Sequence, residues 1–368
     1  MSVADGAAIL ALHRELVETP SVSGEERAIA EHMEAWLAAR CGRVLRLGDS
    51  LLALAGTGPV LLLDSHLDTV PPAPGWTRDP FRAVRDGGRV YGLGANDAKA
   101  AVAAMSGAFA GLAAEPSGLT LALALVAGEE TTSRGTRDVL DRLAAEGLEP
   151  AAAVFGEPTG LDLAVAQKGL LVLELAAAGD AVHAAHARAL GARNAARELA
   201  RDLVALESVE LGPAHPTLGP VTAEPTALRA GTARNVVPAE ASAILDVRTT
   251  PALAPEEVVA RLRAAVGGEL RVVSDRFAPR ETPPGSALLA AARAARPEAR
   301  LYGSATLSDW ALLPAGAAGI KVGPGLSERS HTPDEFVLEA EILAGAGFYR
   351  ALAHELAREL ARRERGAA

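Results

Sequence analysis

The feature that most constrains the fold of this 368-residue chain is a series of unbroken apolar runs bounded by turn residues. Four of these runs read PVLLLDS, LTLALALVAG, AAAVFGEP and AGIKVGPG, and the Ala-rich segments 98–114 and 133–146 lie between the first three. Continuous apolar runs of this length are typical of strands that are buried on both faces of a parallel sheet. Strands that alternate with helices therefore predict an α/β fold with a largely parallel central sheet.

Residues 168–279 follow a different pattern. The run LLVLELAAAG predicts a strand, and it is followed by a helix at 194–206, strands at 223–230 and 241–247, a helix at 255–266 and a strand at 269–274. The order β-α-β-β-α-β is that of a ferredoxin-like α+β unit. We expect this unit to be inserted into an α/β domain made of residues 1–167 and 280–368.

Composition excludes several classes of protein. The net charge of −10 argues against a nucleic-acid partner. No apolar run reaches the roughly 18 residues that span a membrane, and the N-terminal segment lacks the pattern of a secretion signal. The single cysteine, Cys41, leaves no internal disulfide and no cysteine-based metal site. We therefore expect a cytoplasmic protein whose metal ligands, if any, are His, Asp and Glu.

Ionisable side chains follow the apolar runs where the predicted strands end. His66 and Asp68 follow the first run, Glu129 and Glu130 follow the second, and Glu157 follows the third. This edge is where open α/β sheets bind their ligands. Neighbouring carboxylates repel one another, and a cation relieves that repulsion.

Two further segments contribute similar side chains. Asp97 lies in GLGANDAKA, just before a predicted helix, and His331 lies in SERSHTPDEFV. Taken alone, Asp97 equally suits a helix N-cap, His66 suits a structural histidine, and the other residues suit a surface loop. Five such segments at predicted strand ends or in the loops beside them together predict one shared metal centre.

The segments HLDTV, GANDAKA, AGEE, GEPT and RSHTPDEF, in this order, resemble the metal framework of the zinc-dependent M20 amidohydrolase and peptidase family. The resemblance covers nearly the whole chain. It is greatest with the acetylornithine deacetylase-like branch, through HLDTVPPAPGWTRDPF, YGLGANDAKA, AQKGLLVLEL, TLSDWALLP and GPGLSERSHTPDE. It implies a zinc-exopeptidase-like catalytic domain, with the inserted unit acting as a lid that can also pair two subunits.

The resemblance further implies two divalent cations, with Zn²⁺ as the first choice and Co²⁺ or Mn²⁺ as substitutes. Their two ligand groups would share one bridging carboxylate: His66, Asp97 and Glu157 in the first group, and Asp97, Glu130 and His331 in the second. Glu129 would be the general base, and Asp68 would orient His66.

Four other residues are expected to act on the substrate. His183 in GDAVHAAH resembles the lid histidine of the family, while Asn235 and Arg248 belong to the segment ARNVVPAEASAILDVR. Arg248 would bind the substrate carboxylate through both guanidinium branches, and Ser308 would line the pocket. The alternatives are a structural role for His183, a surface ion pair for Arg248 and loop capping for Ser308.

These implications predict hydrolysis of the amide bond of a small N-acyl amino acid, with N-acetylornithine as the favoured substrate. Other substrates of the same chemistry are N-acetylcitrulline, N-succinyl amino acids, dipeptides, and lysine or ornithine linked to an amino-group carrier protein. A protein that only binds amino acids or metals is the non-enzymatic alternative, and the presence of Glu129 argues against it.

Overall fold

The computed structural model describes residues 3–115 and 117–367. The chain divides into two compact units. The first consists of Met1–Val165, Thr282–Tyr302 and Ser308–Ala368, and the second of Ala166–Glu281 and Gly303–Leu307. The roles of catalytic domain and lid stay predictions for these units.

The elements are numbered in chain order. The helices are α1 (Val3–Val17), α2 (Arg27–Ala38), α3 (Lys99–Ala113), α4 (Arg134–Ala145), α5 (Ala195–Leu206), α6 (Pro255–Ala265), α7 (Ala287–Ala295) and α8 (Glu339–Ala367). The strands are β1 (Arg43–Leu47), β2 (Ser50–Gly56), β3 (Val60–His66), β4 (Val84–Asp86), β5 (Arg89–Tyr91), β6 (Thr120–Val126), β7 (Pro150–Phe155), β8 (Leu163–Gln167), β9 (Gly169–Ala178), β10 (Thr222–Ala230), β11 (Glu240–Thr249), β12 (Glu269–Phe277), β13 (Arg280–Glu281), β14 (Leu301–Ser304), β15 (Ala318–Lys321) and β16 (Phe336–Leu338). Short 3₁₀ helices cover Asp309–Leu312 and Ser327–Arg329.

The first unit is built on a central sheet in the order β1-β2-β6-β3-β7-β15-β8. The four middle strands, β6, β3, β7 and β15, run parallel to their neighbours within this group. Strands β1, β2 and β8 are antiparallel to theirs. The predicted apolar runs therefore form the parallel centre of the sheet, which is where both faces are covered.

Strand β3 shows why these runs have no polar alternation. Every residue of the strand is buried. Leu61 and Leu63 pack into the core that contains residues of α1, α3 and α8, whereas Leu62 packs on the opposite face with residues of α4. Because successive side chains point to opposite faces, a strand between two helical layers is apolar on both faces along most of its length, and the polar residues of β3 are confined to its carboxyl end. A separate three-stranded sheet has the order β16-β5-β4.

The second unit has a four-stranded antiparallel sheet in the order β10-β11-β9-β12. Its chain order, β9-α5-β10-β11-α6-β12, and this strand order are those of a ferredoxin-like fold. Leu173 and Leu245 of the sheet share a buried cluster with Leu199 of α5 and Val258 of α6. The predicted α/β fold with an inserted ferredoxin-like unit is confirmed.

Among the described residues, no helix combines the length and the apolar character needed to cross a membrane.

We predict that Leu63→Ala lowers the free energy of unfolding of the first unit by about 2–5 kcal/mol, because it leaves a cavity in the centre of a buried strand. The control is Leu301→Ala, since Leu301 is 37% exposed and should cost less than about 1 kcal/mol. Urea unfolding followed by circular dichroism measures both. Equal losses in the two variants would contradict this description of the core.

Candidate metal centre

The parallel strands deliver ionisable side chains to one edge of the central sheet. Strand β3 ends at His66 and β15 ends at Lys321. Strand β6 is followed by the turn that carries Glu129 and Glu130, and β7 is followed within two residues by Glu157. Because the four strands are parallel, their carboxyl ends lie at the same edge.

Asp97 lies between the two histidines. Its Oδ1 is 3.3 Å from Nε2 of His66, and its Oδ2 is 3.6 Å from Nε2 of His331. The His331 Nε2 is also 2.9 Å from Oε1 of Glu130. One ligand atom each from His66, Asp97 and Glu130 falls within a common distance of 4.8 Å. Imidazole nitrogens and carboxylate oxygens without thiolate form a donor set that fits Zn²⁺ or a similar divalent cation.

The structure does not show Asp97 as the N-cap of α3. The N-cap residue of α3 is Ala98, and no side-chain hydrogen bond caps this helix. The carboxylate of Asp97 instead faces the two histidines, so both of its oxygens are directed at the candidate centre.

Asp68 acts on the site mainly through the backbone. Its Oδ1 accepts a hydrogen bond from the Glu129 N–H at 3.0 Å, and its Oδ2 accepts one from the Glu130 N–H at 3.2 Å. The Ser23 hydroxyl donates to the same Oδ2 at 2.7 Å. The His66 Nδ1 lies 2.9 Å from the Asp68 carbonyl oxygen and 3.6 Å from its carboxylate. Asp68 therefore holds the turn of Glu129 and Glu130, and its carbonyl oxygen is within hydrogen-bonding distance of His66. The role of Asp68 in orienting His66 stays a prediction.

Several acidic groups at this edge are unfavourable as anions. Burial, followed by the charge of Asp97, raises the pKa of Glu157 to about 8. Burial raises the pKa of Glu129 well above its usual value, and the charges of Asp309 and Glu157 add to that effect. The hydrogen bond with Glu130 raises the pKa of His331 to about 9. A bound cation would relieve this excess of negative charge.

Sequence reasoning missed Lys321 as part of this edge. Lys321 is buried, and its charge interacts with those of Glu157, Glu129 and Asp97. Two signals were available in the sequence: the chain has only three lysines, and Lys321 ends an apolar run as His66 does. Asp309, which the sequence offered together with Ser308 as a pocket residue or a loop cap, is buried, and its carboxylate accepts from the Thr136 hydroxyl.

The residues of the inserted unit that were predicted to act on the substrate are distant in sequence from the candidate metal ligands. His183 and Arg248 each form hydrogen bonds with a residue two positions away. His183 is exposed, and its Nδ1 accepts from the Ala185 N–H at 3.2 Å. Arg248 makes two hydrogen bonds to Asp246, at 2.7 and 3.0 Å, which is the ion pair considered as its alternative. Asn235 is exposed.

Ser308, in the first unit, is 1% exposed and precedes the 3₁₀ helix that begins at Asp309. The catalytic role of His183 and the substrate-binding roles of Asn235, Arg248 and Ser308 stay predictions.

Residues 62–355 match the family described as Peptidase family M20/M25/M40. A succinyl-diaminopimelate desuccinylase from Bordetella petrii is 34% identical in an alignment of 276 positions that covers 70% of this chain and 72% of that protein. A protein of the same name from Rhodospirillum centenum is 32% identical in an alignment of 374 positions, gaps included, that covers 93% of this chain and 95% of that protein.

Solved structures are similar over almost the entire chain. The M20 family metallo-carboxypeptidase Sso-CP2 from Sulfolobus solfataricus gives a TM-score of 0.77 at 18% identity, covering 95% of this chain and 99% of that one. A dinuclear metal-binding M20 peptidase from Bacillus subtilis gives a TM-score of 0.71 at 18% identity, covering 96% and 98%. At this level of identity the similarity establishes the fold.

The chain belongs to the M20/M25/M40 peptidase family. It is a metal-dependent hydrolase of amide bonds. The family predicted from the sequence motifs is confirmed.

The metal-free protein should lose stability as the pH rises from about 5 to about 9. The folded-state pKa values of Glu157 and His331 are about 8 and about 9, each above the ordinary value for its residue type. A group with a raised folded-state pKa stabilises the fold fully below its unfolded pKa, and this contribution disappears as the pH rises through the folded value. Urea unfolding in the presence of a chelator measures the trend.

The matched variant for this pH series is Glu157→Gln, which removes one of the two titrations and should reduce the slope between pH 5 and 8. A wild-type protein that becomes more stable over the same range would contradict the proposed electrostatics.

Proposed function

We propose that this chain removes the acyl group from a small N-acyl amino acid by hydrolysing its amide bond. The observation that carries the proposal is the position of Glu129. It directly precedes the ligand candidate Glu130, and the same Asp68 carboxylate holds the backbone N–H groups of both residues. A base placed beside a metal centre is the arrangement that amide hydrolysis requires.

Two cations are proposed for the centre, with Zn²⁺ as the first choice. His66, Asp97 and Glu157 would hold one, and Asp97, Glu130 and His331 would hold the other. The two oxygens of Asp97 already face different histidines, which supports the bridging role. When bound, such cations polarise a carbonyl group and lower the pKa of water.

Glu129 would take a proton from the attacking water and deliver it to the amine that leaves. Burial and the neighbouring carboxylates raise its pKa above the usual value for glutamate, which makes the carboxylate a stronger base toward the water. Asp68 keeps this side chain in place through the backbone of the turn, which limits the orientations available to the base.

We place N-succinyl-diaminopimelate first among the substrates, because relatives that are 32–34% identical over most of their length carry the name of that desuccinylase. N-acetylornithine is the second candidate, since the segments around His66, Asp97 and His331 resemble the acetylornithine deacetylase-like branch. Both substrates present a free carboxylate, for which Arg248 is the proposed partner once it leaves Asp246. Subunit pairing through the inserted unit is proposed as well.

The test is a panel of substrates offered to the zinc- or cobalt-loaded protein. It contains N-succinyl-diaminopimelate, N-succinylornithine, N-acetylornithine, N-acetylcitrulline and a dipeptide, and the released amine is quantified. We expect one N-acyl amino acid to exceed the dipeptide in kcat/KM by at least about tenfold, equivalent to roughly 1.4 kcal/mol. Hydrolysis of the dipeptide alone would refute the deacylase assignment.

Glu129→Gln separates catalysis from metal binding. The amide cannot accept the proton, so kcat should fall by about 10²–10⁴-fold, while the number of bound metal ions stays the same. Metal content is measured by elemental analysis beside the rate. Wild-type turnover in this variant would exclude Glu129 as the base. A wild type that binds metal but hydrolyses no substrate of the panel would instead favour the binding-only alternative.

A further inference from the structure

The turn that presents Asp97 is held by a carboxylate outside the predicted ligand set. Glu335 accepts three backbone hydrogen bonds from this turn. Its Oε1 receives the N–H groups of Asn96 and Asp97, at 2.8 and 2.9 Å, and its Oε2 receives that of Gly94 at 3.1 Å. Hydrogen bonds to an ionised acceptor are stronger than neutral ones and fix the backbone at each donor.

Glu335 is only 2% exposed, so these contacts are formed away from solvent. Lys99 is 1% exposed, donates to the Thr19 carbonyl oxygen at 3.0 Å and interacts electrostatically with Glu335, while burial lowers the pKa of Lys99 to about 7. Removing the carboxylate would leave three donors without their acceptor in a buried place, which is costly.

Asn96 joins the same turn to the segment that precedes His331. Its side-chain Oδ1 accepts from the Leu326 N–H at 3.0 Å, and its Nδ2 donates to the Leu326 carbonyl oxygen at 3.0 Å and to the Ser330 hydroxyl at 3.1 Å. Asn96 thus contacts residues before His331, while Glu335 lies after it. The His331 segment is anchored to the Asp97 turn on both sides.

The backbone of this segment needs such anchoring. His331 and Asp334 have φ angles of 60° and 54°. Residues other than glycine adopt this region only where surrounding contacts determine it. The contacts of Glu335 and Asn96 therefore constrain the orientation of the His331 side chain as well as that of the Asp97 side chain.

We propose that Glu335 is a positioning residue of the metal centre, which sets the bridging Asp97 and His331 at their working separation without binding a metal itself. The inference rests on the metal ligands named in the proposed function. Glu335 acts on the turn of Asp97 as Asp68 acts on the turn of Glu129 and Glu130. In both cases a buried carboxylate accepts hydrogen bonds from the backbone of the turn and so orients the side chains that the turn carries.

Titration of the metal-free protein with Co²⁺ tests this proposal. The visible absorption of the bound ion reports how much Co²⁺ has bound. Glu335→Ala removes all three acceptor contacts. Glu335→Gln retains an oxygen for Asn96 and Asp97, but turns an NH₂ group toward the Gly94 N–H. Because the readout is metal binding, it remains interpretable even if none of the proposed substrates is hydrolysed.

The matched control is Asp202→Ala in the inserted unit. Asp202 is also a buried carboxylate, and it accepts the backbone N–H groups of Gly267 and Gly268 at 2.9 and 2.8 Å. This change removes the same kind of contact from a turn that carries no proposed metal ligand. Thermal unfolding of each metal-free variant records the general loss of stability.

In Glu335→Ala we expect at least one Co²⁺ to bind about 10–100-fold more weakly, with an altered absorption spectrum, as is common when a residue supporting a ligand is removed. Glu335→Gln should show a smaller loss of Co²⁺ affinity, and this variant provides the test if Glu335→Ala does not fold. Asp202→Ala should bind Co²⁺ like the wild type. Wild-type affinity and spectrum in a folded Glu335 variant, or an equal loss in Asp202→Ala, would overturn the proposal.

Discussion

Repulsion among carboxylates at the carboxyl edge of the central sheet is the interaction on which the rest of the site depends. Glu129, Glu130 and Glu157 are brought there by the ends of parallel strands, and Asp97 is added by the turn before α3. The pKa values of Glu129 and Glu157 are raised because their anionic forms are poorly solvated and surrounded by like charge. Binding of protons or cations reduces the repulsion among these carboxylates, and a metal centre at this edge would do so.

The same edge also needs geometric control, because each acidic side chain stands on a turn rather than within a strand. The structure supplies that control through carboxylates that bind backbone N–H groups. Asp68 accepts from Glu129 and Glu130, and Glu335 accepts from Asn96 and Asp97. These contacts connect the turns to the sheet and its flanking helices, and the candidate ligand side chains on the turns face one another.

Much of this arrangement could be predicted from the sequence, for a physical reason. Buried parallel strands must be apolar throughout, so β3, β6, β7 and β15 stand out as runs, and the residues that follow them are the edge residues. The supporting contacts of Glu335 could not be predicted in this way. They join positions more than 230 residues apart through backbone N–H groups, which have no signature in residue type. Arg248 shows the opposite difficulty: its residue type suits a substrate carboxylate, but the structure pairs it with Asp246, which lies two residues away.

Anomalous X-ray diffraction from crystals of the zinc-loaded protein, collected on both sides of the zinc absorption edge, is the decisive test of the shared metal centre. We expect two zinc peaks that share Asp97. One would be ligated by His66 and Glu157, and the other by Glu130 and His331. A single peak without Asp97, or zinc bound only at other residues, would contradict the claim that the strand ends and their turns form one shared metal centre.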